Sequence, residues 1–194
     1  MRAASAKTTE DGFLDPRDEI VTHLKPMRAF ALSLTRDMSR ADDLVQDTVV
    51  KAWTNIEKFE PGTNMRAWLF TILRNTFYSE RRKARREVAD AEGVLTEQIA
   101  EKPAHDGRLA MADFRRAFEK LPDEQREALV LVGAEGFSYE DAAEMCGCAV
   151  GTIKSRANRG RRKLAELLHM RDDEALELTD QASLAVIARN PRAG

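Results

Sequence analysis

The sequence predicts an all-α protein of two small helical domains, and three observations predict it. Apolar residues recur at helical spacing in both halves, while no stretch alternates with the period of two that marks a strand. Charged residues make up 33% of the 194 and aromatics only 6%, which suits helical units with wet surfaces better than a β-sandwich. From Val88 to about His105 the periodicity fades into Ala, Glu, Asp and Gly, a linker composition that divides the chain in two.

Residues 1–14 are small and polar and are expected to be disordered. Asp15-Pro16 reads as a helix start, with proline at the first helical position. That helix is expected to break or kink at Pro26 and to resume through "MRAFALSL". Ser39 with Asp42 three residues later reads as a capping box. It opens "RADDLVQDTVVKAWTNI", where Leu44, Val45, Thr48, Val49, Ala52 and Ile56 share one face. Pro61-Gly62 in the loop "EPGTN" stops the helical pattern.

The next helix carries Met65, Trp68, Leu69, Ile72, Leu73, Thr76 and Phe77 on one stripe and extends toward a cluster of arginines. Its opposite face carries Phe70, Arg74, Tyr78, Arg81 and Arg85. Cations interleaved with aromatics suit phosphate contact plus base stacking on a single strand. For Phe70 and Tyr78 taken singly, packing against a neighbouring helix is the favoured reading.

A second helical unit is expected from near Leu109, through "FRRAFEKL" and on past Pro122. Ser138 with Asp141 forms another capping box, opening "YEDAAEMC", and Gly147 supplies the positive φ that a tight turn between helices requires. On the helix that follows, Val150, Ile153, Ala157, Gly160, Leu164 and Leu168 fall in one apolar arc. Ser155, Arg159 and Arg162 point away from it, with Thr152, Arg156 and Lys163 beside them and Lys154 nearer the core edge. Small hydroxyl residues at the start and arginine one turn later suit docking in a major groove, where arginine pairs bidentately with guanine. The expected boundaries are a domain at 15–89, a linker at 90–107, a helix-turn-helix domain at 108–170 and a tail at 171–194.

The net charge of −2 hides a strong segregation. Arg66 to Arg86 holds seven cations against Glu80, and Lys154 to Arg171 holds seven against Glu166. Between them, Glu87 to Gly107 sets six acids against Lys102. Two basic islands flanking an acidic stretch are the footprint of a chain that touches polyanion at two places. The chain has neither a signal-peptide core nor an apolar run long enough to span a membrane, so a soluble, cytoplasmic protein without membrane contact is expected. Cys146 and Cys148 are too close for an ordinary disulfide and too few for a structural metal. They read as small side chains closing the turn. His23, His105 and His169 are scattered, and the acids read as lying on exposed helix faces and the linker. No enzyme, cofactor or metal site is therefore expected.

Three stretches carry a resemblance: "DDLVQDTVVKAW", "FEPGTNMRAWLFTILRN" and "LPDEQREALVLVGAEGFSYEDAAEMCGCAVGTIKSRANRGRRKL". They resemble regions 2 and 4 of the extracytoplasmic-function sigma factors of bacterial RNA polymerase, in order and at normal spacing. The wording of "MRAFALSL", "DDLVQDT" and "EPGTNMRAWLFTILRN" further resembles the general stress-response subgroup. The resemblance implies that Asp43, Leu44, Gln46, Asp47 and Val50 bind the β′ coiled coil of core RNA polymerase. It implies that Pro61, Gly62, Thr63 and Asn64, with Arg66, Phe70 and Arg74 on the next helix, recognise and open the −10 element of promoter DNA. It implies that Thr152, Lys154, Ser155, Arg156 and Arg159, joined by Arg162 from the helical face, read the −35 element, while region 4 also contacts the β flap. It also implies a small anti-sigma factor as inhibitor. The Cys-Gly-Cys turn stands where the family more usually has a Gly-Ile-Pro type. A free-standing helix-turn-helix regulator is the alternative, but such a protein usually dimerises to read a palindrome, and no heptad seam is visible; a monomer is expected when free.

Overall fold

The computed structural model describes residues 15–90 and 107–170. The expected N-terminal tail, nearly all of the expected linker and the C-terminal tail lie outside the described residues. Eight α-helices are described: α1 (Pro16–Thr22), α2 (Leu24–Thr35), α3 (Met38–Thr54), α4 (Met65–Asp90), α5 (Gly107–Glu119), α6 (Asp123–Leu129), α7 (Tyr139–Cys146) and α8 (Val150–Leu168). No strand occurs among the described residues.

In the first half, α1 to α4 enclose a core of Ile20, Met27, Phe30, Leu34, Leu44, Leu69 and Leu73. The Met65–Phe77 stripe faces inward as its spacing requires, with Trp68 and Ile72 half-buried at its edge. Asp15 caps α1 by accepting from the Arg17 amide at 2.8 Å, and Pro16 opens the helix. Two details differ from expectation. The helix breaks at His23 rather than at Pro26, because a proline ring and its missing N–H exclude a continuous helix over the preceding turn. Placing the break at His23 puts Pro26 in the first turn of α2, where an amide has no intrahelical partner to lose. The cap of α3 is Asp37, which accepts from the Arg40 amide at 2.8 Å, and not Ser39. Asp42 is consequently free of capping duty and pairs with Arg28.

In the second half, Phe114, Phe118, Leu121, Leu129, Leu131, Ile153 and Leu164 form the core. α8 approaches α6 closely at Gly160, where an added Cβ would lie 2.9 Å from Leu129 Cδ1. A π-helical turn, Val130–Ala134, extends α6 and was not anticipated. The two halves also pack on one another along α4, which the spacing of the sequence did not disclose. Phe70 is 0% exposed, stacked on Phe30 at 4.9 Å and edge-on to Phe137 of the second half at 5.2 Å.

Candidate nucleic-acid interface

The helix-turn-helix forms as its sequence prescribes. Ser138 accepts from the Asp141 amide at 2.9 Å, α7 ends on Gly147 at φ +61°, and α8 begins three residues later. Nothing lies within 4 Å of a Cβ built on Gly147, so the backbone angle alone demands glycine there. Ile153, Ala157, Gly160 and Leu164 are buried. That anchoring leaves Lys154, Ser155, Arg159 and Arg162 exposed, as placed from the sequence. The Lys154 ammonium lies 5.5 Å from the Tyr139 ring centroid, and Arg159 Nε donates to the Ser155 carbonyl at 3.3 Å. Thr152 and Arg156 are half-buried. Arg156 reaches Glu124 at 3.1 Å and Cys148 Sγ at 3.9 Å, so its guanidinium is already engaged within the domain. Arg159, Arg162 and Lys163 continue with Lys120 and Gln125 into one basic groove beside Pro122.

Cys146 is buried and Cys148 half-buried, both as free thiols. Burial, with Glu127 nearby, pushes the Cys146 thiol up to about 12. Among the described residues no cluster of three or more His, Cys, Asp or Glu could hold a metal.

On the first half, Pro61, Gly62, Thr63 and Asn64 are all exposed. Gly62 adopts φ +86°, and Asn64 Oδ1 accepts from the Ala67 amide at 3.0 Å, capping α4. The loop therefore presents backbone and the remaining amide of Asn64 from a fixed base. Arg66 and Arg74 are placed differently from an open helix face, both engaged within the chain, while Phe70 packs against neighbouring helices as the reading of that residue taken singly favours. Arg66 pairs with Glu135, and its guanidinium lies 4.7 Å from the Phe137 ring centroid and 5.5 Å from that of Phe70. Arg74 Nε donates to Glu127 at 2.7 Å, and Tyr78 donates to the same carboxylate at 3.2 Å. Phe70 thus has no free ring face in this arrangement.

These carboxylates correct the expectation that acids lie only on exposed faces and the linker. Glu127 is 1% exposed and Glu135 is 6% exposed. Burial pushes both carboxyls above the usual range, against the pull of Arg74 on one and Arg66 on the other. Asp123 behaves oppositely. Burial works to raise it, but the hydrogen bond from Arg81 and the charges of Arg126 and Arg81 outweigh burial and hold it below its usual value. The sequence carried one cue to this arrangement, the acid spacing of "PDEQREALVLVGAE", but nothing in it named the partners across the chain.

On α3, Asp43, Gln46, Asp47 and Val50 are exposed. Leu44 is not: it lies 2% exposed in the core, one turn before Thr48, whose hydroxyl donates back to the Leu44 carbonyl at 2.7 Å. Its assignment to a polymerase contact is corrected to packing beneath that surface. Val50 and Trp53 are 58% and 51% exposed on the same helix, and the Arg17 guanidinium lies 5.6 Å from the Trp53 ring centroid. An acidic helix face with two bare apolar side chains suits a protein partner better than DNA.

The family models for Sigma-70 region 2 and Sigma-70 region 4 match residues 20–87 and 111–164. The chain is 56% identical to the ECF RNA polymerase sigma factor EcfG of Rhodopseudomonas palustris over 154 residues, covering 79% of this chain and 85% of that one. It is 33% identical to the ECF sigma factor SigE of Mycolicibacterium smegmatis over 170 residues, 82% of this chain and 64% of that one. Among solved structures it is similar to the sigma factor RpoE of Bartonella quintana in complex with the anti-sigma factor NepR. That match has a TM-score of 0.70 and 54% identity, covering 79% of this chain and 96% of that one. Two region-specific matches in order, on two helical domains of the expected kind, carry the conclusion that this chain belongs to the extracytoplasmic-function sigma factors of RNA polymerase.

Proposed function

We propose that the chain directs core RNA polymerase to promoters with its two domains dividing the task, and that it has no catalytic activity of its own. The exposed cations of α8 carry this reading: Lys154, Arg159 and Arg162 stand with Ser155 on a helix anchored by its opposite face. That domain reads the −35 element, with Thr152 and Arg156 at the margins and Arg156 released from Glu124 when it contacts DNA. The loop Pro61 to Asn64, with Arg66, Phe70 and Arg74, takes the −10 element. Asp43, Gln46, Asp47 and Val50 on α3 meet the β′ coiled coil, and region 4 meets the β flap. The domains are those bounded by 15–89 and 108–170, joined by the segment at 90–107. An anti-sigma factor like the one bound to the Bartonella quintana relative restrains it, in a general stress response and in the cytoplasm. No helix among the described residues is long and apolar enough to cross a membrane.

The test is run-off transcription with core polymerase on a promoter template and on templates scrambled at either element. Arg159→Ala should cost about 1–3 kcal/mol of discrimination at the −35 element, the worth of a bidentate base contact. It should leave the penalty for scrambling the −10 element unchanged. Equal activity of Arg159→Ala and the native protein on all templates contradicts the assignment.

A further inference from the structure

At the end of α8 the chain is turned rather than released. The Met170 amide donates to the Ala165 carbonyl at 2.9 Å and the His169 amide to the Glu166 carbonyl at 3.3 Å, the paired bonds of a Schellman cap. His169 adopts φ +54°, a left-handed angle that glycine takes freely and a side chain takes at a cost. Such a cap bends the backbone across the end of its own helix instead of along the axis. His169 also lines one edge of a groove of about 400 Å³ between α5 and the last turn of α8. The chain that follows Met170 therefore starts beside that groove.

From α5 the groove takes Asp113, Arg116, Ala117 and Lys120, which share one helical face. Its floor is buried Ala117 with Leu167 and Leu168 of α8, two leucines left only half-buried at the margin of the second core. Arg116 and Lys120 stand exposed on its rim. Arg116 pairs with Asp113, whereas Lys120 has no ion-pair partner among the described residues. The ten residues 171–180 carry five acids, Asp172, Asp173, Glu174, Glu177 and Asp180, and two leucines, Leu176 and Leu178. An acidic stretch bearing leucines matches a cationic rim over a leucine floor in both charge and polarity. Reach is no obstacle. The groove from Asp113 to Lys120 runs about 10 Å at 1.5 Å per helical residue, and ten extended residues span roughly 33 Å.

We propose that residues 171–180 dock along this groove, their acids meeting Lys120 and Arg116 and their leucines covering Leu167 and Leu168. The docked segment covers the margin of the second core and ties the end of α8 to α5. The helix that carries Lys154, Arg159 and Arg162 is then held at its far end as well as along its buried face. The cost of the left-handed angle at His169 is offset by the contacts that a chain turned this way can make. A tethered segment reaches effective concentrations in the millimolar range, so contacts too weak to hold a free partner keep it in place. The proposal does not depend on the promoter contacts, and its readouts need neither DNA nor polymerase.

The experiment compares hydrogen exchange in the native full chain, in the chain truncated after Met170 and in the full chain carrying Asp172→Lys/Asp173→Lys/Glu174→Lys. Truncation alone can fray α8, so the deciding region is 113–120 on α5, which is remote in sequence from the cut. Both variants should exchange about threefold faster there, as local opening becomes easier once docked contacts are lost. Residues 139–146 of α7 should exchange as in the native chain. Equal exchange over 113–120 in all three proteins would overturn the proposal. Adding Lys120→Glu to the tail variant should restore part of the protection, because the charges are then exchanged rather than removed. No recovery would overturn the charge matching on which the docking rests. Protection over 113–120 that falls on dilution of the native chain would make a second copy the occupant and overturn docking within one chain. Should the truncated chain fail to fold by circular dichroism, the tail variant and its Lys120→Glu partner decide.

Discussion

Glu127 sits 1% exposed between Arg74 and Tyr78, and its proton equilibrium reports on that placement. Burial raises its carboxyl, and that of Glu135, above the ordinary glutamate range near pH 4.3–4.5. Each therefore binds protons more readily folded than unfolded, so stability falls as pH rises from that range through the raised folded value. Asp123, held low, acts in the opposite sense: its contribution is present above the ordinary aspartate range and is lost as pH falls through its depressed value. Glu127→Gln should accordingly flatten the decline in urea midpoint as pH rises above the ordinary glutamate range. An unchanged slope would contradict the burial of that carboxylate. Gly160 gives a second test at this scale. Alanine would gain up to about 1 kcal/mol of helix propensity. Its Cβ would meet Leu129 Cδ1 at 2.9 Å and Cγ at 3.1 Å, and Leu129 is fully buried with little room to yield. Overpacking of this kind costs about 1–3 kcal/mol, so Gly160→Ala should destabilise the domain by about 1 kcal/mol in urea titration. The exposed face of α8 was legible because helical periodicity alone sorts its residues. The burial of Glu127 was not, because a carboxylate is buried only when its partners are, and Arg74 lies 53 residues away.

The helices themselves followed from spacing and punctuation: Asp15-Pro16, the Met65–Phe77 stripe, the Ser138 cap and the Gly147 turn all form as read. The cap of α3 shows where local rules compete. Both Asp37 and Ser39 are good capping residues, and Asp42 three residues after Ser39 made the box attractive. The chain instead starts the helix one residue before Ser39, which lets Asp42 reach Arg28 on α2. Asp37→Ala should therefore cost about 1 kcal/mol, the usual worth of a cap, while Ser39→Ala should be near neutral. Thermal unfolding of the two variants separates them, and the reverse ranking would restore the box at Ser39. The break at His23 belongs to the same scale. Pro26 is the cause, but its effect falls on the turn before it.

At the scale of the molecule, the segregation of charge into two basic islands and an acidic middle announced two contacts with polyanion. It did not announce that acids of one half would pair with cations of the other. A seam of ion pairs weakens with salt, though less steeply than exposed pairs because it is partly buried. Raising salt should therefore increase the scattering radius of the free chain, and a radius independent of salt would contradict a seam held by charge. The same geometry bears on how promoter recognition is coupled to the polymerase. A lone small domain holds duplex DNA mainly by salt-sensitive phosphate contacts. Two such domains cooperate only when their separation matches the DNA. In the free chain they are folded against one another, with Arg66 and Arg74 engaged by Glu135 and Glu127. On the proposed function, core polymerase sets the separation. The most direct test is promoter-duplex binding by the full chain with and without core RNA polymerase, at one physiological salt concentration. Weak, sequence-indifferent binding by the free chain and tight, promoter-specific binding by the holoenzyme is the predicted result. Free chain binding the promoter as tightly and specifically as the holoenzyme would contradict it and mark the protein as a self-sufficient regulator.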